Sequence, residues 1–143
     1  MEIKIIEHNS KHYQQMLVLR MQVLLNPIGI PFSYINVNKE KYDILIGAFE
    51  QEVLIGCCVL TRKDKETVQL RQMAVATEQQ QKGIGAAIVL FAENWARQNG
   101  YSIVIMHARN NVIAFYQKCG YEIVGKEFME VGIAHRQMQK QLI

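Results

Sequence analysis

The stretch Val68-Gln69-Leu70-Arg71-Gln72-Met73-Ala74-Val75, followed after a short polar link by Gln80-Gln81-Lys82-Gly83-Ile84-Gly85-Ala86, decides how this chain folds. The first part reads as a strand whose apolar residues sit at even positions, Val68 and Leu70, and then at odd ones, Met73 and Val75. A strand keeps one face only if parity is kept, so one extra residue at Arg71-Gln72, a β-bulge, would restore that face. A strand buried on both faces would give the same pattern. The second part leads into a helical repeat with Ile84, Ala87, Ile88, Phe91 and Trp95 on one face and Gly100 as its C-terminal cap. Amides in the first turn of a helix have no internal partner and lie at the positive end of its dipole, so they bind phosphate. Glycines at 83 and 85 lack the Cβ atoms that would hold an anion off, and Lys82 adds a positive charge. The same glycines would also suit a helix that merely packs closely. The segment is neither a dinucleotide fingerprint, since Ile88 stands where a third glycine belongs, nor a P-loop, since no Gly-Lys-Ser/Thr ending follows.

Upstream, Ile3-Lys4-Ile5 alternates as a strand, and Ser10 opens a helix with Tyr13, Met16, Leu17, Met21 and Leu24 on one face. Both prolines fall in Asn26-Pro27-Ile28-Gly29-Ile30-Pro31, which ends that helix. The residues from Asn26 to Tyr42 read as a long loop. Ile28, Ile30, Phe32, Tyr34 and Ile35 make it too apolar for a disordered one, so it is expected to wall the substrate side. Ile44–Phe49 and Val53–Thr61 suggest an antiparallel hairpin about Glu50-Gln51-Glu52. Downstream, Tyr101–Ala108 is nearly continuous in apolar residues, as in a central strand covered on both faces. A short helix from about Asn111 carries Val112, Phe115, Tyr116 and Cys119 and closes at Gly120. Two β segments, around Tyr121–Val124 and around Phe128–Met138, complete the chain. The order β-α-β-β-β-α-β-α-β-β predicts one α/β (α+β) domain over residues 1–143 with a mixed sheet.

Composition agrees with one packed domain. Of 143 residues 50% are apolar and 20% charged, with two prolines, which excludes disordered and collagenous chains. A net charge of +3 suits a small anionic ligand and falls short of a nucleic-acid footprint. Three cysteines, two of them adjacent at Cys57 and Cys58 on opposite faces of a strand, give no disulfide framework; they read as inert core thiols. With neither a leader pattern nor a membrane-length apolar run, a soluble cytoplasmic protein without membrane partners is expected. His8 and His12 have a metal-ligand spacing, but a helix start falls between them and no further ligand lies near, so no metal site is expected.

Gln80, Gly83 and Gly85 match the phosphate-binding signature Gln/Arg-x-x-Gly-x-Gly/Ala of the GNAT family of acetyl-CoA-dependent N-acetyltransferases, which this sequence resembles. Leu70–Val75 looks like that family's bulged fourth strand, which splays from the fifth to admit pantetheine. Ala114-Phe115-Tyr116-Gln117-Lys118-Cys119-Gly120-Tyr121 is similar to its helix-to-strand segment. The tail from Phe128 to Met138 resembles a subgroup of small bacterial single-domain members, with Ala134 where that subgroup has proline. The resemblance implies helices on both faces of the sheet and direct transfer of acetyl from acetyl-CoA to a small-molecule, peptide or protein amine. Met73, Ala74 and Val75 would pair with pantetheine through their backbone, and the Met73 N–H would stabilise the oxyanion. Gln80 and the amides of Gln81, Lys82, Gly83, Ile84, Gly85 and Ala86 would hold the pyrophosphate, with Phe115 beside the cofactor.

Tyr116 corresponds to the family's general acid, although its place on an apolar helix face equally fits core packing. Arg109 replaces an asparagine common in the family. Asn110 or Asn111 could contact pantetheine instead, or cap the short helix. The family's frequent glutamate on the fourth strand is missing, since Gln69, Arg71 and Gln72 stand there. Glu130, His135 and His107 are therefore the candidate bases, acting through water. Without that glutamate a non-catalytic acyl-CoA sensor is the competing reading. Small domains of this type often form homodimers.

Overall fold

The computed structural model describes residues 1–142. Strand β1 (Glu2–Ile6) leads to helix α1 (Lys11–Arg20), where the Ser10 hydroxyl accepts from the Tyr13 amide at 3.1 Å and caps the first turn. The helical path does not stop at Arg20. It widens into a π turn at Met21–Leu25, tightens into a 3₁₀ turn at Asn26–Ile28, and ends at Gly29, whose φ of 74° only glycine adopts without strain. The segment from Asn26 to Tyr42 is less irregular than its sequence suggests, because it holds a one-turn helix α2 (Val37–Glu40) capped by the Asn36 side chain.

Strands β2 (Ile44–Glu50) and β3 (Val53–Arg62) form the expected hairpin, with Gln51 and Glu52 both at positive φ, as a twisted two-residue turn requires. A turn in which the Asp64 carboxylate accepts from the Glu66 and Thr67 amides leads to β4 (Thr67–Val75). Then come α3 (Ile84–Gln98), β5 (Ile103–Arg109), a 3₁₀ turn at Asn110–Val112 and α4 (Ile113–Lys118). Strands β6 (Glu122–Glu130) and β7 (Ile133–Gln141) end the chain. The second predicted β segment, Phe128–Met138, is thus two strands rather than one. Val131 and Gly132, at φ 49° and 75°, turn the chain between them, and a Val-Gly pair lacks the usual hairpin signal.

The seven strands lie in the order β1-β2-β3-β4-β5-β7-β6, antiparallel throughout except for β4 with β5. On one face Ile46, Leu60, Val68, Val104 and Met138 pack against Ile88, Val89, Ala92 and Ala96 of α3 and Tyr116 of α4. On the other, Leu45, Cys57, Val59 and Ala74 pack against Tyr13, Met16 and Leu17 of α1. The mixed α/β sheet with helices on both faces is therefore present. Cys57 and Cys58 do fall on opposite faces, and burial pushes the Cys57 thiol up to about 12. The buried stripe of α3 lies one residue round from the predicted one, through Val89, Ala92 and Ala96, while Phe91 and Trp95 are only half-buried at its edge. Strand β5 is covered on one face alone: Val104, Met106 and Ala108 are buried, whereas Ile105 is half-buried and His107 exposed. Its apolar run misleads because α1 reaches only as far as β4 on that face. Among the described residues no helix is long and apolar enough to cross a membrane.

Candidate active site

Strands β4 and β5 are paired only from Thr67–Ile103 to Gln69–Ile105. Past that point the register of β4 against β3 jumps: Cys57 faces Ala74 and Val59 faces Arg71, so two steps on β3 oppose three on β4. This is the predicted bulge. Gln72 takes up the extra residue at φ 54°, and Met73 and Val75 return to the face already occupied by Val68 and Leu70. The kink carries β4 away from β5 and opens a cleft of about 780 Å³ between them.

The loop before α3 forms one wall. Gly83, at φ 82°, is the N-cap residue of α3 and offers no side chain to its first turn, and the Gly83 carbonyl accepts from the Ala87 amide at 3.1 Å. The Ile84, Gly85 and Ala86 amides precede that first helical bond and stay free to bind an anion. The two glycines differ in purpose. A Cβ on Gly83 would meet nothing within 4 Å, so glycine serves the backbone conformation there; a Cβ on Gly85 would lie 3.1 Å from Cζ of Phe115, so glycine there lets α3 and α4 meet. Gln80 is committed as a strut, its Nε2 donating to the Val75 carbonyl at 3.0 Å. Gln81 lines the cleft, at φ 66°, and Lys82 is exposed outside its lining.

The Ala76 amide donates to the Ile55 carbonyl at 2.8 Å. Backbone groups alternate along an antiparallel pair, so the Ala74 amide also turns toward β3 while Val75 directs its own toward the cleft. Of the three residues expected to meet pantetheine, Ala74 has its amide turned to β3 and Val75 has its carbonyl taken by Gln80, whereas the Val75 amide stays free. Asn111 lines the cleft, whereas Asn110 donates to Glu127 at 2.7 Å outside it. Neither caps α4, whose first turn has no side-chain cap.

Tyr116 is packed in the core and also borders the cleft. Its ring is 95% buried against Phe115 and Tyr121, at centroid distances of 4.9 and 6.0 Å, yet the residue lines the cleft. Burial, reinforced by the Cys58 and Cys119 thiols, holds its phenol well above the ordinary value, so it stays protonated at neutral pH.

Across the sheet, His107, Glu130 and His135, scattered in sequence, come together on the cleft. The β6–β7 hairpin places Phe128 opposite His135, and β5 places Arg109 opposite His135, so these residues share one face. The His107 Nδ1 lies 3.0 Å from Glu130 Oε1. His135 Nε2 lies 3.7 Å from Glu130 Oε2, while its Nδ1–H donates to the Ile133 carbonyl at 2.8 Å. Phe128 sits between the two imidazoles, 5.1 Å from one ring and 5.9 Å from the other. With its Nδ1–H donated to Glu130, His107 keeps Nε2 as an acceptor.

A second polar cluster escaped the sequence reading. Arg20, on the buried face of α1, donates to both Glu40 oxygens at 2.9 and 2.7 Å, the Tyr13 hydroxyl donates to Glu40 at 2.7 Å, and Arg20 Nε donates to Gln72 Oε1 at 3.2 Å. An arginine seven residues after Tyr13, on an otherwise apolar stripe, was the available signal. The cluster ties α2 and α1 to the bulge. The π turn adds Val23 and Leu24 to the lining of the cleft, and Tyr34 joins them from the loop expected to wall the substrate side. His8 and His12 pack at a tilt against different rings, Tyr13 and Phe49 respectively.

The model of the acetyltransferase (GNAT) family matches residues 16–121, which contain the bulged strand, the phosphate loop and Tyr116. The chain is 26% identical over 137 residues to the uncharacterized N-acetyltransferase YjcF of Bacillus subtilis, covering 95% of this chain and 97% of that one. It is also 26% identical over 98 residues to probable N-acetyltransferase 14 of Xenopus tropicalis, of which it spans about half, 47%. The fold superposes on an aminoglycoside 6'-N-acetyltransferase solved in complex with coenzyme A with a TM-score of 0.82 at 18% identity, over 100% of this chain and 98% of the other. A family model that takes in both the cleft-forming strand and the helix carrying Tyr116 shows that this chain belongs to the GNAT family of acetyltransferases.

Proposed function

We propose that the protein transfers an acetyl group from acetyl-CoA to a primary amine by direct attack, with Tyr116 as general acid and His107, oriented by Glu130, as general base. The observation that carries this reading is the disposition of the two groups. Tyr116 enters the cleft from the α3 and α4 face, and the His107–Glu130 pair, 3.0 Å apart, stands on the opposite face of the same opening. Acetyl-CoA fits the wall on the Tyr116 side. The free amides of Ile84, Gly85 and Ala86 would take its pyrophosphate, and the outward amide of Val75 would donate to pantetheine. The coenzyme A complex of the aminoglycoside 6'-N-acetyltransferase supports the same occupant for a cleft of this fold.

The acceptor arrives as an ammonium ion. His107 Nε2 takes one proton, directly or through water, and Glu130 stabilises the imidazolium that results. The free amine nitrogen attacks the thioester carbonyl, and the Met73 N–H, turned by the bulge, stabilises the oxyanion. Collapse breaks the C–S bond and releases the N-protonated amide, which gives its surplus proton to solvent and keeps one N–H. The departing thiolate takes the Tyr116 hydroxyl proton, and solvent reprotonates the phenolate. A high phenol pKa does not defeat that step, because the burial that disfavours phenolate also disfavours thiolate at the same place.

Thiol release from acetyl-CoA across a panel of amines tests the reading. His107→Gln is expected to lower kcat about 100-fold, with CoA affinity unchanged. An unaltered kcat would remove His107 as the base, and failure of every amine with CoA binding intact would favour an acyl-CoA sensor.

A further inference from the structure

The charge inventory of the cleft points to the acceptor. Three of its lining side chains carry a full charge irrespective of histidine protonation, namely Arg71, Arg109 and Glu130. Arg71 lies 3.9 Å from the Asp43 carboxylate and donates to Thr61, and Glu130 is held by His107. Arg109 has no carboxylate partner among the described residues. Its one side-chain hydrogen bond among the described residues is from Nη2 to the Leu24 carbonyl at 3.2 Å, which fixes the guanidinium between the end of β5 and the π turn and leaves other N–H donors unused. That bond also places Arg109 on the α1 side of the sheet, away from the free α3 amides. Strand geometry sets it about 6.6 Å along β5 from His107, on the same face. A polycationic acceptor would meet one carboxylate and two guanidinium groups here, an unfavourable field.

We propose that Arg109 is a carboxylate-binding residue and that the acceptor is an amine bearing a carboxylate on a partly apolar body, an amino acid in the general sense. The amine lies at His107, the carboxylate accepts a charge-assisted pair of hydrogen bonds from Arg109, and Val23 and Leu24 contact the apolar part. The inference rests on the acetyl-transfer reading for the position of the amine, and it concerns binding rather than chemistry.

Calorimetric titration of the protein saturated with CoA, using leucine, phenylalanine, β-alanine and 4-aminobutyrate against the carboxamide of each, separates the two. Carboxylates are expected to bind at least about tenfold tighter than their amides. Arg109→Gln should abolish that preference and Arg109→Lys should keep part of it, with CoA affinity unchanged in both variants. Amides binding as well as carboxylates, no binding by any pair, or a preference that survives Arg109→Gln would each overturn the proposal. Carboxylate-selective binding without thiol release from acetyl-CoA would instead overturn the transfer reading and leave only the carboxylate-binding role of Arg109 standing.

Discussion

Tyr116 and Gly83 show how much one atom decides in this cleft. Removing the Tyr116 hydroxyl leaves the buried ring and its contacts with Phe115 and Tyr121 in place, so Tyr116→Phe isolates the proton. Its kcat is expected to fall about 100-fold at unchanged CoA affinity, read by thiol release and by calorimetry; an unaltered kcat would mean the ring only packs. Gly83 separates backbone conformation from charge. Because a Cβ has open space there, Gly83→Ala should cost only the strain of a positive φ, about 1 kcal/mol. Gly83→Asp has the same strain and also sets an anion before the α3 amides. Fluorescence titration should find CoA binding little changed in the first variant and weakened at least about 100-fold in the second.

Among the elements, the contact of α1 and α2 with the β4 bulge carries the largest electrostatic stake. Burial opposes both charges of the Arg20–Glu40 pair, yet their bidentate contact wins: Arg20 is held above its ordinary value and Glu40 below it. A carboxylate with a depressed folded pKa contributes stability that is fully present above its unfolded value, about 4.3, and lost as pH falls through the lower folded value. Glu40→Gln leaves Arg20 buried without its counter-charge and should destabilise by about 3 kcal/mol at pH 7. Urea unfolding should show that deficit shrinking below about pH 4, because wild type then loses the same contact. A deficit constant with pH would mean that lost packing, not charge, explains the variant.

For the molecule as a whole, the cleft divides the sheet into halves held together by three residue pairs of β4 and β5 and by the helices packed on the sheet. A ligand spanning β4, α3 and β5 binds only the folded arrangement. CoA at 100 times its Kd should add about 2.7 kcal/mol, raising the thermal midpoint by about 9 °C. Scanning fluorimetry reads this directly, and Gly83→Asp should suppress the shift; an equal shift in that variant would place the cofactor elsewhere.

The parity switch from Val68 and Leu70 to Met73 and Val75, the glycines before α3 and the Phe-Tyr helix were legible in one dimension, because each is a local pattern: the period of a strand, the needs of a helix start, the stripe of a short helix. They determined the bulge, the glycine-lined wall at the start of α3 and the Tyr116 face of the cleft. Sequence could nominate His107, Glu130 and His135 but could not join them, since their assembly depends on a Val-Gly turn with weak hairpin chemistry and on β7 inserting beside β5. Nor could it foresee that the apolar run of β5 is covered on one face only, or that Arg20, Glu40, Tyr13 and Gln72 meet inside the protein. Those outcomes belong to tertiary structure alone. Which charges lie within a few ångströms of each other, and which face water, depends on strand order and on where α1 ends, and no period of two or of 3.6 residues encodes either.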